Sequence, residues 1–423
     1  MKSILRCLVF LGLVSVMVSP VLATNGDNLI AIGPISRAMG GVGIAAPQDA
    51  ISAVFSNPAA MSFSPYCPGS EFNFAGTLFM PHVEAKVTVG GMSISDDSHG
   101  KVYAIPAIGI SVPITNTFPL WRFGLAAYGV SGLGVDYRNS DIDNPAFFDF
   151  GPMGKFPLVA ADFTQLQIMK FAPTVAYQPN ENLSLGLGVH INYANLDIKN
   201  GSSFNYALGV QLGAIYKFND MVTLGATYTS PQKVDYKNVS DLDSDGTDDD
   251  LKLEQPQEAG LGLALNLIPG KLLVEGDVKW LNWQNADGYS DFDWGNQWVF
   301  AIGAQFKPIK KIALRIGYNY SKNPLKVHDN FNGAETVSVQ GKMMPRYYYE
   351  TFRIIGFPAI VQHHLTMGVG YEFSNKFALH AGYMHAFKES IKENGTAPDG
   401  MTPATLESGL SEDSLEFGLT LKF

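Results

Sequence analysis

Apolar residues alternate with small or polar ones, position by position, along most of the chain. Near its end Leu415, Phe417, Leu419, Leu421 and Phe423 alternate with Glu416, Gly418, Thr420 and Lys422. Ile312, Leu314, Ile316, Tyr318 and Tyr320 alternate likewise with Ala313, Arg315, Gly317 and Asn319. A period of two places successive side chains on opposite faces, so each run predicts a β-strand. The second face carries Gly, Ala, Ser and Asn, where a soluble sandwich would show charge. Lipid on one side and a filled lumen on the other account for both faces. Strands are predicted near 71–89, 101–114, 121–137, 164–178, 182–198, 203–218, 221–236, 251–267, 271–282, 296–306, 310–322, 359–373, 376–389 and 412–423. That count is even, as in single-chain bacterial barrels.

The connections carry a second signal. Tight turns at 179–181, 219–220, 269–270, 308–309 and 374–375 alternate with long segments at 138–163, 237–250, 283–295, 323–358 and 390–411. Short periplasmic turns and long extracellular loops are the two ends of a barrel. Tyr177, Phe218, Phe306, Phe373, Phe377 and Phe423 lie beside tight turns, where an aromatic girdle belongs. The fold class is therefore all-β: a transmembrane antiparallel β-barrel of about 14 strands.

Composition agrees, with 16% charged residues against about 25% in ordinary globular proteins. A net charge of −10 argues against a nucleic-acid partner. Lys2 and Arg6, an apolar run from Cys7 to Val18 and small residues up to Ala23 predict an export signal over residues 1–23. Its removal leaves Cys67 alone, so no internal disulfide is expected. It also leaves no apolar helix, and a membrane-like chain without one points again to a barrel.

Residues 24–66 lack the alternation. They are rich in Gly, Ala, Val, Ile and Met, with short helices expected near 34–40 and 48–56. An exposed tail needs no such residues, which places the segment in the lumen as a hatch, with the barrel over 67–423.

The run Gly33-Pro34-x-Ser36-Arg37-Ala38-x-Gly40-Gly41, followed by Asp49-Ala50 and Asn57-Pro58-Ala59, resembles the start of FadL/TodX-type outer-membrane transporters, the long-chain fatty-acid and aromatic-hydrocarbon channels. The resemblance continues through Gly132-Leu133-Gly134-Val135-Asp136-Tyr137, Lys170-Phe171-Ala172-Pro173-Thr174 and the last strand. It implies a fourteen-stranded barrel closed by the hatch. It further implies that Asn57, Pro58 and Ala59 lie against an inward kink in the third strand, where the wall opens sideways. The matching strand holds Gly129, Gly132 and Gly134. Glycines in a strand permit bulges and close backbone approach, which independently suits a kink.

The implied function is passive uptake of hydrophobic small molecules (fatty acids, alkanes or monoaromatics) with lateral exit into lipid. Such solutes gain by staying out of water. A hydrophilic porin is opposed by the hatch and by few lumen charges, among them Glu275, Asp277, Lys279 and Arg315. An outer-membrane lipase would need a Ser/His/acid set that no motif supplies. The chain is expected to act as a monomer surrounded by outer-membrane lipid and lipopolysaccharide.

One departure concerns ligand capture. The family's long helical loop after the fifth strand is reduced here to Lys199-Asn200-Gly201-Ser202. Capture then falls to Phe147 and Phe148 with Phe156 to Val159, and to Met343, Met344, Tyr347, Tyr348, Tyr349, Phe352, Ile354 and Ile355. Exposed, these clusters would bind something; packed on each other, they would cover the mouth instead. Asp241-x-Asp243-x-Asp245-Gly246 resembles a calcium loop, but Lys252 stands where the bidentate Glu is required, and a solvated acidic loop bridging lipopolysaccharide is the other reading. His363 and His364 point to opposite faces of a strand, as do His380 and His385. No metal, cofactor or catalytic constellation is expected.

Overall fold

The computed structural model describes residues 25–63, 69–142, 157–199, 201–243 and 245–423. The export signal, Cys67, Phe147, Phe148 and Phe156 lie outside the described residues. Fourteen antiparallel strands close into one barrel. They are β1 Glu71–Val89, β2 Tyr103–Pro113, β3 Leu120–Asp136, β4 Phe163–Gln178, β5 Leu183–Ile198, β6 Gly201–Lys217 and β7 Val222–Thr229. The second half is β8 Glu258–Ile268, β9 Leu272–Leu281, β10 Gln297–Ile309, β11 Ile312–Ser321, β12 His363–Ser374, β13 Phe377–Thr396 and β14 Pro403–Lys422. Each pairs with its neighbours in this order, and β14 returns to β1 from Glu71↔Lys422 to Val89↔Ala404. Closure leaves no unpaired edge to face lipid. Met92–Asp97 folds back as a short hairpin on the outer end of β1.

The alternation decides which face meets lipid. On β6, Phe204, Tyr206, Leu208, Val210 and Leu212 are exposed, while Ser203, Ala207 and Gln211 between them are buried. An apolar belt of this kind is stable only against hydrocarbon.

Two predicted strands end early. The runs 221–236 and 251–267 are not continuous: β7 stops at Thr229 and β8 begins at Glu258. Pro231 and Pro256 explain the breaks, because proline has no N–H for the ladder. The residues between pair with each other as an inner hairpin, Gln232–Ser240 with Asp249–Gln255. It lies against the lumen face of the wall, where Asn192 Nδ2 donates to Gln232 Oε1 at 2.7 Å and Asn205 Nδ2 to the Asp235 carbonyl at 2.8 Å. Its apolar face (Val234, Tyr236, Val239, Leu251 and Leu253) is buried there. β13 and β14 run further than predicted, to Thr396 and from Pro403.

The N-terminal segment fills the lumen. Residues 25–47 are buried without a break. Helix α1, Pro34–Arg37, is a single turn. Helix α2, Ala50–Ser56, starts with a capping box in which Asp49 accepts from the Ser52 N–H at 2.8 Å. A 3₁₀ turn follows at Pro58–Ser62. The wall holds the segment through its backbone. Asp277 Oδ2 accepts from the Gly43 and Ile44 N–H groups at 2.9 and 3.1 Å, and Glu275 Oε1 from Ala45 and Ala46 at 2.8 and 2.9 Å. These lumen carboxylates face no open channel; they satisfy donors that the irregular segment would otherwise leave orphaned. Gly40 packs against the β11 backbone with φ 73°, where a Cβ would stand 2.7 Å from the Tyr318 nitrogen. Only glycine fits there.

Candidate lateral opening and apolar cavity

β3 changes character halfway along. Trp121, Phe123 and Leu125 face lipid, but every residue from Tyr128 to Val135 is buried. Its ladder to β2 ends at Ala107↔Tyr128, whereas its ladder to β4 continues to Asp136↔Phe163 across a bulge between Gly129 and Ser131. From Gly129 to Val135, then, β3 bends inward with β4 and parts from β2. The wall rejoins at the rim, where the Asp136 carbonyl accepts from the His99 N–H at 2.7 Å and the Asp136 N–H donates to Ser98 Oγ at 2.9 Å. A bulge bends a strand and leaves backbone groups unpaired. The N-terminal segment takes them up: the Leu29 N–H donates to the Val130 carbonyl at 3.1 Å and the Gly132 N–H to the Asp27 carbonyl at 3.2 Å.

The structure thus brings Val130, Ser131 and Gly132 together with Asp27, Asn28 and Leu29, while Gly134 packs on Thr164 of β4. Asn57, Pro58 and Ala59 do not rest on the kink, contrary to expectation. They lie against β5 to β7, where Ser184 Oγ donates to the Ala59 carbonyl at 2.6 Å and Asn57 Nδ2 donates to the Ala214 and Ala226 carbonyls at 3.2 and 3.3 Å. Gly186 and Gly213 leave the space they occupy, since a Cβ at either would overlap Pro58 and its neighbours. Asparagine's amide serves two strands at once, a role at the foot of the wall rather than at its opening.

Beside the bend lies a small apolar pocket lined by Leu133 of β3, Leu166 of β4, Leu251, Phe292, Trp294 and Phe352. Its one charged neighbour, Arg353, is fully committed. Nη1 binds Glu350 Oε2 at 2.5 Å and Glu393 Oε1 at 3.0 Å, and Nε donates to the Phe292 carbonyl at 2.9 Å. The cavity therefore offers hydrocarbon and aromatic faces and no free charge. Asp27 ties the bend to the roof of this cavity: its carboxylate accepts from Tyr289 and, at 2.9 Å, from Gln255 Nε2.

The extracellular clusters pack on each other. Tyr347, Tyr349, Phe352, Ile354 and Ile355 are buried in helix α3, Arg346–Thr351, and the π-turn Phe352–Gly356. The Tyr347 and Tyr348 hydroxyls donate to the Leu158 and Pro157 carbonyls at 2.9 and 3.2 Å, and that of Tyr349 to the Asp291 carbonyl at 2.9 Å. They form a roof, because the neighbouring loops bury rings that would otherwise be wet. Phe352 alone of the group lines the cavity. Sequence reading missed Asp27, Gln255, Tyr289, Phe292 and Trp294. The density of aromatics from Trp283 to Trp294 was a usable signal; Asp27 had only its charge in an otherwise uncharged run to mark it.

The acidic loop serves itself. Asp241 accepts from the Asp245 and Gly246 N–H groups at 3.1 and 3.0 Å, and Lys342 Nζ lies 2.5 Å from Asp249 and 3.5 Å from Asp243. The lysine supplies the positive charge a cation would bring. Among the histidines, His364 is buried while His363 meets the Tyr318 hydroxyl on the outer face, as parity requires.

Residues 27–205 match the family of outer membrane protein transport proteins (OMPP1/FadL/TodX), and residues 161–340 an outer membrane protein β-barrel domain. The toluene transporter TodX of Pseudomonas putida superposes with a TM-score of 0.65 at 19% identity, covering 93% of this chain and 99% of its own. A FadL homologue of Pseudomonas aeruginosa gives 0.65 at 16% identity over 96% and 99%. The toluene transporter TbuX of Ralstonia pickettii gives 0.63 at 15% identity over 94% and 99%. No curated protein sequence matches the chain. At these identities the solved structures speak for the fold, a closed outer-membrane barrel around an N-terminal segment.

Proposed function

We propose that this chain, whose residues 27–205 match the OMPP1/FadL/TodX family of outer membrane protein transport proteins, takes up hydrophobic molecules passively and releases them sideways between β2 and β3. The single observation that carries this reading is the parted wall at Gly129–Val135 standing next to an apolar cavity. The bore below is occupied by residues 25–63, so a solute in the cavity has lipid, not water, as its nearest exit. That direction is downhill for an apolar solute, at roughly 25 cal/mol per Å² of surface kept from water. A cavity without a free charge favours uncharged hydrocarbons, alkanes or monoaromatics, over carboxylates, and two of the similar structures are toluene transporters.

The test is uptake in cells depleted of their own channels and expressing this one. Labelled toluene and hexadecane should enter faster than in empty-vector cells, while labelled arabinose should not. Equal entry of the sugar would replace the hydrophobic channel with a porin.

A further inference from the structure

Three consecutive tight turns, at 269–270, 308–309 and 374–375, are flanked by Lys271, by Lys307, Lys310 and Lys311, and by Lys376, while Lys422 ends β14. Backbone bonds put these residues on one rung at the foot of the barrel. The Lys307 N–H donates to the Lys271 carbonyl at 2.7 Å, the Glu372 N–H to the Lys311 carbonyl at 2.9 Å and the Lys422 N–H to the Lys376 carbonyl at 2.9 Å. Neighbouring strands lie about 4.8 Å apart, so the feet of β9 to β14 carry an arc of lysines interrupted only by Glu372.

The arc keeps a positive excess after every nearby carboxylate is counted. Lys271, Lys310, Lys311 and Lys376 are exposed, and no ion pair engages them among the described residues. Lys307 stands 3.5 Å from Glu372, which offsets it. In the lumen behind, Glu71 neighbours Lys422 and Asp49 neighbours Arg315, so those charges also cancel in pairs. Against the four exposed lysines only the carboxylate of Phe423 remains. The feet of β1 to β8 show no such excess: Lys217 is paired with Asp220 at 2.6 Å, and the buried Arg122 is balanced by the exposed Glu181.

The position of the arc names its partner. Phe306, Ile309, Phe373, Leu421 and Phe423 are exposed on the lipid face beside these lysines. Aromatic side chains at that level mark the boundary between hydrocarbon and headgroups. Lysine stems run along such a surface while their ammonium groups stand among the headgroups. We propose that the arc from β9 to β14 is a docking surface for anionic phospholipid of the periplasmic leaflet, each headgroup phosphate meeting ammonium groups from neighbouring strand feet. A soluble anion would use the lysines alone, whereas a lipid uses the apolar belt as well, its chains lying on Phe306 and Phe373. The attraction is electrostatic at an exposed surface, so salt screens it. This surface stands whether or not the channel carries hydrocarbons.

The experiment uses the full mature chain in maltoside detergent, with bound lipid read by native mass spectrometry. Phosphatidylglycerol and phosphatidylethanolamine with identical chains are offered in equal amounts, in dilute and in concentrated ammonium acetate. Phosphatidylglycerol should be preferred at least about fivefold in dilute salt, the effect expected of lysine beside an anionic headgroup, and not in concentrated salt. The preference should disappear in the chain carrying Lys271→Gln, Lys310→Gln, Lys311→Gln and Lys376→Gln. It should persist with Lys→Arg changes at the same four positions. It should also persist with Lys86→Gln, Lys101→Gln, Lys388→Gln and Lys392→Gln, which remove as much charge at the extracellular end. Heat-modifiable gel migration confirms that each barrel is assembled, and the salt series on the wild type decides the matter if the first variant does not assemble. Equal binding of the two lipids, a preference that survives concentrated salt or the assembled first variant, or an equal loss in the extracellular variant would overturn the proposal. Displacement of the lipid by glycerol 3-phosphate would overturn it too, by identifying a soluble ligand.

Discussion

Arg37 and Glu416 meet inside the barrel with Nε 2.9 Å from Oε1, each side chain 1% exposed. The arginine stands at the end of α1 and the glutamate on β14, so the bond joins the lumen segment to the wall. Arg37 Nη2 also donates to Ser414 Oγ at 3.0 Å and Nη1 to the Ala31 carbonyl at 3.2 Å. Removing one partner of a buried pair strands the other, at a cost of about 3–5 kcal/mol. Arg37→Ala should loosen the segment without unfolding a wall held by its own ladders. Single-channel conductance in planar bilayers should rise, and Arg37→Met with Glu416→Leu should bring it back down. A conductance that does not change in Arg37→Ala would show that this bond does not hold the plug.

The bend makes a separate prediction. A Cβ at Gly134 would overlap the Thr164 carbonyl of β4. Gly134→Val should therefore fail at assembly rather than block an assembled channel, with most of the protein lacking heat-modifiable migration. Normal assembly would mean that the β3–β4 contact is looser than the structure has it.

Leu133 probes the cavity itself. It is buried and lines the apolar space beside the parted wall. Leu133→Gln places an amide where it has no partner, costing about 1–3 kcal/mol of stability and repelling an apolar ligand. Toluene uptake at low concentration should fall several-fold in assembled protein. Wild-type uptake would move the pathway elsewhere.

The roof should respond to Tyr347 in two steps. Tyr347→Phe loses only the bond to the Leu158 carbonyl, worth about 1 kcal/mol, whereas Tyr347→Ser also empties a buried ring site, worth about 3–5 kcal/mol. Trypsin should cut the 323–358 loop readily in the serine variant and little in the phenylalanine variant. Equal cutting would mean that the ring contributes no packing.

His328 gives the roof a pH dependence. Nδ1 lies 3.0 Å from Glu350 and Nε2 2.9 Å from Asp293, and Glu393 accepts its backbone N–H at 2.9 Å. The hydrogen bond to Glu350 raises its pKa above the ordinary value near 6.5, against burial and the nearby Arg353, while Arg346 Nη2 lies 3.0 Å from Nδ1. A raised pKa means that the charged form is favoured in the folded roof. The stabilisation is complete below about pH 6.5 and is lost as pH rises through the raised value. Cutting of the loop should increase on the alkaline side in the wild type, and His328→Gln should flatten that increase. An identical profile in the variant would assign the pH dependence to another group.

The barrel was legible in the sequence because its cause is local. A strand between lipid and a filled lumen must alternate at every second residue, and Leu314 and Phe417 could face nothing but hydrocarbon. The lumen segment was legible by contrast, as buried-type residues without that period. What only the tertiary structure decided are the pairings across the bore. The identity of Asn57 says that it bonds backbone, not that the backbone belongs to β6 and β7 rather than to the bend in β3. Tyr347 and Phe352 read alike in the sequence, yet one hydroxyl is spent on a loop more than 180 residues away and the other ring lines the cavity. Nothing at Gly370 in the sequence says that Arg315 and His380 pack onto its bare backbone from the strands on either side. Alternation depends on neighbours in the chain, whereas a site depends on which distant backbones leave space and which donors remain unpaired, and those are settled only when the sheet closes.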